Sequence, residues 1–362
     1  MPDAPERTRC LMIGAGGMAA GWIRKILPHF QDRLQVVGLV DVSAVALADS
    51  GDFLGLSSAA RFADMPTAFS EIEADFCVIV VPARFHVQAA VLAAQHGLAI
   101  LCEKPLADTW SACVDIVRAV RAAGVKMQVV QNYRYLAPML AFKSVLASGE
   151  LGRLNYITCR FGHDCREYDT WQRRHELPHA MIVDGAAHHF DMLRHLSGAD
   201  CARMSALEWN PLWSSSRGEF CALCLVHMTN GARATYEGNA TAAGEQHAWR
   251  FEDYRAECEG GSLTVGVDQT VRIHRHTASA GVVTTEVAAP APEREAHLWI
   301  VDEFLHWLNG GPTPLTVLED NIRTAAMIFG ALESARTGQT VDVERMVHEA
   351  LDFDLGRSAK AE

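Results

Sequence analysis

The sequence predicts an α/β fold in two domains, a doubly wound parallel sheet followed by a larger and mostly antiparallel one. Three observations carry that expectation. Apolar runs of strand length alternate with Ala-rich helical stretches through the first third of the chain. Beyond about residue 131, strand-like runs follow one another across Gly and polar turns. A Gly-rich turn also comes directly after the first apolar run, where an open parallel sheet binds its ligand. The chain has 362 residues, too long for one ordinary core. The expected domains are 1–130 and 131–362, with the closing helices able to pack back on the first domain.

The elements follow in order. Strands are expected at Cys10–Ile13, Gln35–Val40, Phe76–Val81, Leu98–Cys102 and Lys126–Val130, with helices at Ala20–Leu27, Val87–His96 and Ser111–Ala123. The second domain reads as strands at Leu154–Phe161, Ala202–Trp209, Phe220–Met228, Ala232–Asn239, Tyr254–Glu259 and Gly261–Val267. Helical patterns interrupt or follow them at Pro138–Ser148, Asp184–Leu196, Glu293–Leu308 and Leu318–Ala335. Low-complexity Thr277–Pro292 reads as a loop or loose hairpin, and His274–His276 as part of a strand.

Composition narrows the partners. Hydrophobic residues make up 49% of the chain, enough for a sizeable core, and the formal charge is −12 with no basic block. That disfavours nucleic acid and anionic membranes. The opening MPDAPERTRC lacks the basic and apolar regions of a signal peptide, and no apolar run reaches a membrane span. Ten scattered cysteines suit a reducing cytoplasm. Cys221 and Cys224 form a C-x-x-C, but on a strand, where residues three apart face opposite ways.

The first chemical motif is LMIGAGGMA, residues 11 to 19, a G-x-G-x-x-A dinucleotide fingerprint. Gly14 permits the tight turn, Gly16 lets the backbone approach a pyrophosphate, and Ala19 allows close helix–strand packing. Gly17 and Met18 complete the turn. A second apolar strand ends in Asp41, placed to accept the ribose hydroxyls. The gap before Asp41 is long, and LPHFQDR is expected to fill it as a surface loop. A carboxylate at Asp41 repels a 2′-phosphate, and Val42, Ser43 and Ala44 supply no Arg. NAD is therefore expected rather than NADP.

The third element is VVPARFHVQAAVLAAQHGLAILCEKPLADT. One strand ends at Pro82, with His86 opening a helix, and the next ends at Glu103, Lys104 and Pro105. A charged Lys at the tip of a buried strand is costly unless it has a task. Ligands bind beyond the carboxyl ends of such strands, so Pro82, His86, Glu103 and Lys104 are candidates for cofactor contact.

Together, the Gly turn, the V-P-x-x-x-H step and E-K-P resemble the Gfo/Idh/MocA oxidoreductases, the glucose–fructose oxidoreductase and inositol dehydrogenase group. The resemblance spans nearly the whole chain. It implies an N-terminal Rossmann domain and a C-terminal α/β domain with a large open sheet that commonly builds homodimers or homotetramers. It also implies a cis Lys104–Pro105 bond. In MIVDGAAHHFDMLRHL, inositol dehydrogenase-like members carry D-x-x-x-H followed by Asp, here Asp184, His188 and Asp191. On a helix Asp184 and His188 would share a face. The chemistry fits hydroxyl oxidation: His188 accepts the proton, Asp184 orients it, and Lys104 stabilises developing alkoxide. His189 is a rival base that points about 100° away on an α-helix. Arg134 sits where relatives place a substrate-contacting Arg, and His163, Asp164, Tyr168 and Trp171 are further pocket candidates.

A metal centre is the competing reading of the same stretch. Asp184, His188, His189 and Asp191, with His175 and His179, offer donors. Yet Pro178 separates the last two, and no H-E-x-x-H or paired C-x-x-C is present, so no catalytic metal is expected. The chain also departs from its relatives. Their glycine triplet, six to four residues before the catalytic Asp, is Pro178, His179 and Ala180 here, and the later Gly is shifted to Gly185. The resemblance thus implies an NAD-dependent dehydrogenase of a sugar, inositol or related polyol. The alternatives are an NAD-dependent glycosidase of the same fold and a non-catalytic NAD-sensing regulator.

Overall fold

The computed structural model describes residues 7–166, 175–244 and 247–352. Tyr168 and Trp171 lie outside the described residues. The chain divides into two compact units, Met1–Gln131 with His297–Ile322, and Asn132–Ala296 with Arg323–Glu362.

The first unit is a six-stranded sheet of β1 (Thr8–Ile13), β2 (Leu34–Val40), β3 (Arg61–Phe62), β4 (Phe76–Ile79), β5 (Ala99–Cys102) and β6 (Met127–Val129). The order is β3-β2-β1-β4-β5-β6, with every pair parallel. Such strands are buried on both faces, so they read as unbroken apolar runs; β4 and β5 are buried at every position. The strand order reverses between β1 and β4. Ile13, Ile79 and Cys102 pair across β1, β4 and β5, so Gly14, Val80 and Glu103 leave the sheet side by side at that crevice. Gly14 has φ 110°, and a Cβ there would sit 2.2 Å from the Val80 carbonyl oxygen. Only glycine satisfies both conditions.

The chain after the Gly turn differs from the expected single helix and surface loop. It runs as a short α1 (Met18–Gly21), a π-helical turn (Trp22–Ile26) and a 3₁₀ turn (Leu27–Phe30). Pro28 cannot continue an α ladder, because it has no N–H to donate. Trp22, Leu27 and Phe30 are buried, and their apolar surface draws the connection into the core. Later helices have ordinary ends. Ser43 caps α2 (Ala44–Phe53), Asp64 caps α3 (Met65–Glu71), and α4 spans His86–Gln95. Thr109 caps α5 (Trp110–Ala123), which closes at Gly124 with φ 65°.

Among the described residues the second unit holds nine strands: β7 (Leu154–Gly162), β8 (Cys201–Trp209), β9 (Cys221–Met228), β10 (Arg233–Asn239), β11 (Asp253–Cys258), β12 (Gly261–Val265), β13 (Val271–Thr277), β14 (Gly281–Val287) and β15 (Val341–Asp342). Their order is β14-β13-β12-β11-β7-β10-β9-β8-β15. Only β7 and β10 run parallel; the other pairs are antiparallel. The Thr277–Pro292 stretch resolves into a hairpin, with β14 along β13. On β9 burial alternates from Ala222 to Met228. Cys221 and Cys224 have opposite parity, and Cys221 meets Asn239 and Thr241 rather than a second sulfur. The described helices of the second unit are α6 (Ala137–Ser148), α7 (Ala186–Ser197) and, further along the chain, α10 (Val343–Leu351); α8 (Ala296–Leu308) falls almost wholly in the first unit, and α9 (Leu318–Thr337) starts in the first unit and ends in the second. No described helix is long and apolar enough to cross a membrane.

Gly14→Ala is expected to destabilise the first unit by more than ~1 kcal/mol, since the new methyl meets backbone in a left-handed conformation. Urea denaturation measures this, and a midpoint equal to the parent's would show that the turn is looser than described.

Candidate functional site

At the crevice of the first unit the Gly turn offers backbone instead of side chains. Gly17 has φ 54° and is exposed with Met18, while Gly16 is half-buried. The Asp41 carboxylate closes the turn from the next strand. One oxygen accepts from the N–H groups of Ala15 (2.8 Å) and Gly16 (3.3 Å), and the other accepts from Ser43 at 2.8 Å. A bare Gly cradle beside a strand-end carboxylate fits a dinucleotide.

The E-K-P segment follows β5. Glu103 is buried, and its Oε1 accepts from the Trp22 indole N–H at 2.9 Å and faces His297 Nε2 at 3.3 Å. Its Oε2 accepts from the Lys104 backbone N–H at 3.1 Å. Burial alone would raise the Glu103 pKa. His297, the Lys104 charge and Trp22 oppose it, and the balance lies below the ordinary carboxylate value. The Lys104–Pro105 bond is cis, and Lys104 itself is half-buried.

His86 clamps two loops together. Its ring is buried, with Nε2 2.9 Å from the Val81 carbonyl and Nδ1 2.9 Å from that of Pro105. Burial lowers its pKa and outweighs the carbonyls, which favour the charged ring. Both nitrogens are taken by backbone, because His86 joins the segment after β4 to the segment after β5. The Glu103 carboxylate likewise has partners within the protein. Pro82 is exposed at the same edge.

In the second unit His188 lies on α7 and is buried, its ring stacked on Tyr133 with centroids 4.0 Å apart and planes at 5°. Asp184 is half-buried in a π-helical turn, Met181–Gly185, that leads into α7. The expected regular helix over both residues is thus interrupted, so their relation does not follow from α spacing. Single π turns are frequent at functional sites. His189 is fully buried between Tyr236 Oη (3.0 Å) and Glu252 Oε1 (3.2 Å), and stacks near Phe161 and Trp249. That environment holds it in the core.

Arg134 forms a buried ion pair. Its Nε and Nη2 donate to the two oxygens of buried Asp191 at 2.7 and 2.6 Å. Thr324 donates to the same carboxylate at 3.0 Å. A bidentate pair at this depth spends the fork on structure. His163 is half-buried and near Phe161, while Asp164 is held by Arg166, which lowers its pKa. Among the described residues the metal donors weighed above do not gather into one group; the His/carboxylate group close enough to share an ion is His179, Glu208 and Glu219.

Three residues were not singled out by sequence: Trp22, His297 and Tyr133. The first two are 81 and 194 positions from Glu103, a separation no local pattern reports. Tyr133 sits next to Arg134 in a stretch already marked, and its aromatic ring was the available signal.

Comparison with known proteins places this geometry. Residues 8–131 match the model of an oxidoreductase family with an NAD-binding Rossmann fold, and residues 139–274 match the GFO/IDH/MocA C-terminal domain. The uncharacterised protein y4oX of Sinorhizobium fredii is 35% identical, over 94% of this chain and 96% of its own length. D-apiose dehydrogenase of Paraburkholderia graminis is 28% identical, over 88% of this chain and 86% of its own. A crystal structure of an oxidoreductase from Agrobacterium radiobacter, in complex with NAD+, L-tartaric acid and magnesium, shares the fold. Its TM-score is 0.81 at 22% identity, covering 94% of this chain and 100% of that one.

Two stability measurements test these assignments. Arg134→Met strands the buried Asp191 carboxylate and should cost ~3–5 kcal/mol, whereas adding Asp191→Leu should restore much of the loss. A single-variant cost under ~1 kcal/mol would return Arg134 to the list of ligand contacts. Glu103→Gln removes a carboxylate whose folded pKa is depressed. The parent's advantage should be full at pH 7, present above the ordinary value of 4.5, and lost as pH falls through the lower folded value. Urea midpoints of both proteins across acid pH read this out, and a constant gap down to about pH 3 would deny the carboxylate a charged role.

Proposed function

The chain belongs to the Gfo/Idh/MocA oxidoreductase family, and from that membership we propose that it oxidises a hydroxyl of a sugar, inositol or related polyol with NAD. The reading rests above all on Lys104, an ammonium at the crevice edge directly after an anchored Glu103. A relative named D-apiose dehydrogenase supports the sugar class.

The backbone of Gly14–Met18 would hold the pyrophosphate, and Asp41 the adenosine ribose, its negative charge selecting against a 2′-phosphate. When bound, NAD supplies the hydride acceptor. Lys104 donates a hydrogen bond to the reacting oxygen and stabilises the charge that develops on it. His188 takes the hydroxyl proton. Asp184 orients His188, and the Tyr133 ring stacked on it restrains its plane. The exposed Leu207, Leu223 and Leu225 on β8 and β9 support a homo-oligomer built on that sheet face. None of the ten cysteines forms a disulfide, which supports a reducing compartment such as the cytoplasm.

The test is an NAD-reduction screen over aldoses, inositols and uronic acids, run on the parent and on Lys104→Ala and His188→Ala. The parent should form NADH with at least one substrate, and each variant should lose ~10²–10⁴-fold in kcat. Release of a leaving group from a glycoside with no net NADH would replace this reading with glycoside cleavage. Variants as active as the parent would remove both residues from the mechanism.

A further inference from the structure

Three polar side chains of the second unit converge outside the residues assigned above. His179 Nδ1 lies 2.7 Å from Glu208 Oε1 and 3.3 Å from Glu219 Oε2. One donor atom from each residue lies within 4.8 Å of the other two. The His179 backbone N–H donates to Glu219 Oε2 at 2.9 Å and fixes that carboxylate. Glu208 comes from β8, its side chain only 10% exposed.

Their hydrogen bonding is incomplete in a telling way. His179 Nδ1 and Glu208 Oε2 are both buried, yet neither has a hydrogen-bond partner among the described residues. The 2.7 Å approach of His179 to Glu208 therefore lacks hydrogen-bond geometry, although the atoms are close enough. Buried polar atoms left unsatisfied call for a missing water or ion. Here a nitrogen and carboxylate oxygens of two residues face one another.

The backbone brings these groups together deliberately. A Cβ on Gly218 would sit 1.9 Å from the Leu177 carbonyl oxygen, so glycine there lets the segment before His179 lie against the segment carrying Glu219. His179 itself has φ 54°, a left-handed conformation unusual for a residue with a side chain. It stands where the resemblance puts one of three glycines. The chain keeps a glycine's backbone at this position and adds an imidazole.

We propose that His179, Glu208 and Glu219 bind a divalent first-row transition-metal ion, with water completing its coordination. One imidazole and two carboxylates suit Zn²⁺, Co²⁺ or Mn²⁺ better than Ca²⁺ or Mg²⁺, which prefer all-oxygen shells. The ion would tie β8 and the approach to β9 to the segment that enters the π turn bearing Asp184. Its role is to fix that segment, and no chemical step passes through it.

The experiment uses the full-length chain stripped with EDTA and dialysed. Zn²⁺ is titrated calorimetrically, and Co²⁺ is followed by its visible absorption. The parent should take up one equivalent of each and give Co²⁺ bands altered by nitrogen and oxygen ligation. His179→Ala, Glu208→Gln and Glu219→Gln should each weaken binding at least about tenfold, the scale on which even supporting groups of a metal site act. A parent that binds no equivalent of either ion overturns the proposal whatever the variants do. So does binding that all three substitutions leave unchanged. If His179→Ala fails to fold, the two Gln variants, each the size of the residue it replaces, decide the assignment.

Discussion

A carboxylate buried at the end of a parallel strand must find its donors inside the fold, and Glu103 draws them from three places. Trp22 arrives from the π turn beyond the dinucleotide loop, His297 from the start of α8, and the third donor is the N–H of Lys104. The Trp22 and His297 rings also meet edge to face, 5.4 Å between centroids, so the donors position one another. Removing any donor leaves charge under-solvated in a low-dielectric site, which is costlier than losing an ordinary hydrogen bond. This explains why the odd helical connection and the returning C-terminal segment belong to the first unit. Both supply what one strand-end acid requires.

The same edge is constrained twice more. Gly14 lets β1 turn against the Val80 carbonyl, and His86 bridges the carbonyls of Val81 and Pro105. Three separate contacts thus define the segments that follow β1, β4 and β5 without any ligand. Lys104 carries the positive charge on that frame. A binding edge built from fixed backbone loses little entropy on closing around its ligand.

Much of this was legible in the sequence because parallel strands announce themselves as short apolar runs. Gly14, Asp41 and Lys104 stand directly after such runs. What stayed hidden depended on partners far along the chain. Arg134 looks like a substrate ligand until Asp191, 57 positions away, closes on it. His86 sits at a ligand-binding edge, yet its nitrogens turn to backbone. The π turns were invisible for a different reason: apolar periodicity reads 3.6 residues per turn, and one wider turn shifts phase too briefly to register. Asp184 and His188 were spaced as for an α-helix, and the chain departs from that geometry between them.

Adjacent residues His188 and His189 show how neighbours, not residue type, divide roles on one helix. His189 has a phenol on one nitrogen and the Glu252 carboxylate on the other, and is sealed beneath aromatic rings. His188 has Tyr133 across its face, and stacking restrains the plane of its ring. Asp184 lies four residues earlier, half-buried in the π turn. On the proposed reading His188 exchanges the proton and Asp184 supports it, while His189 holds the core.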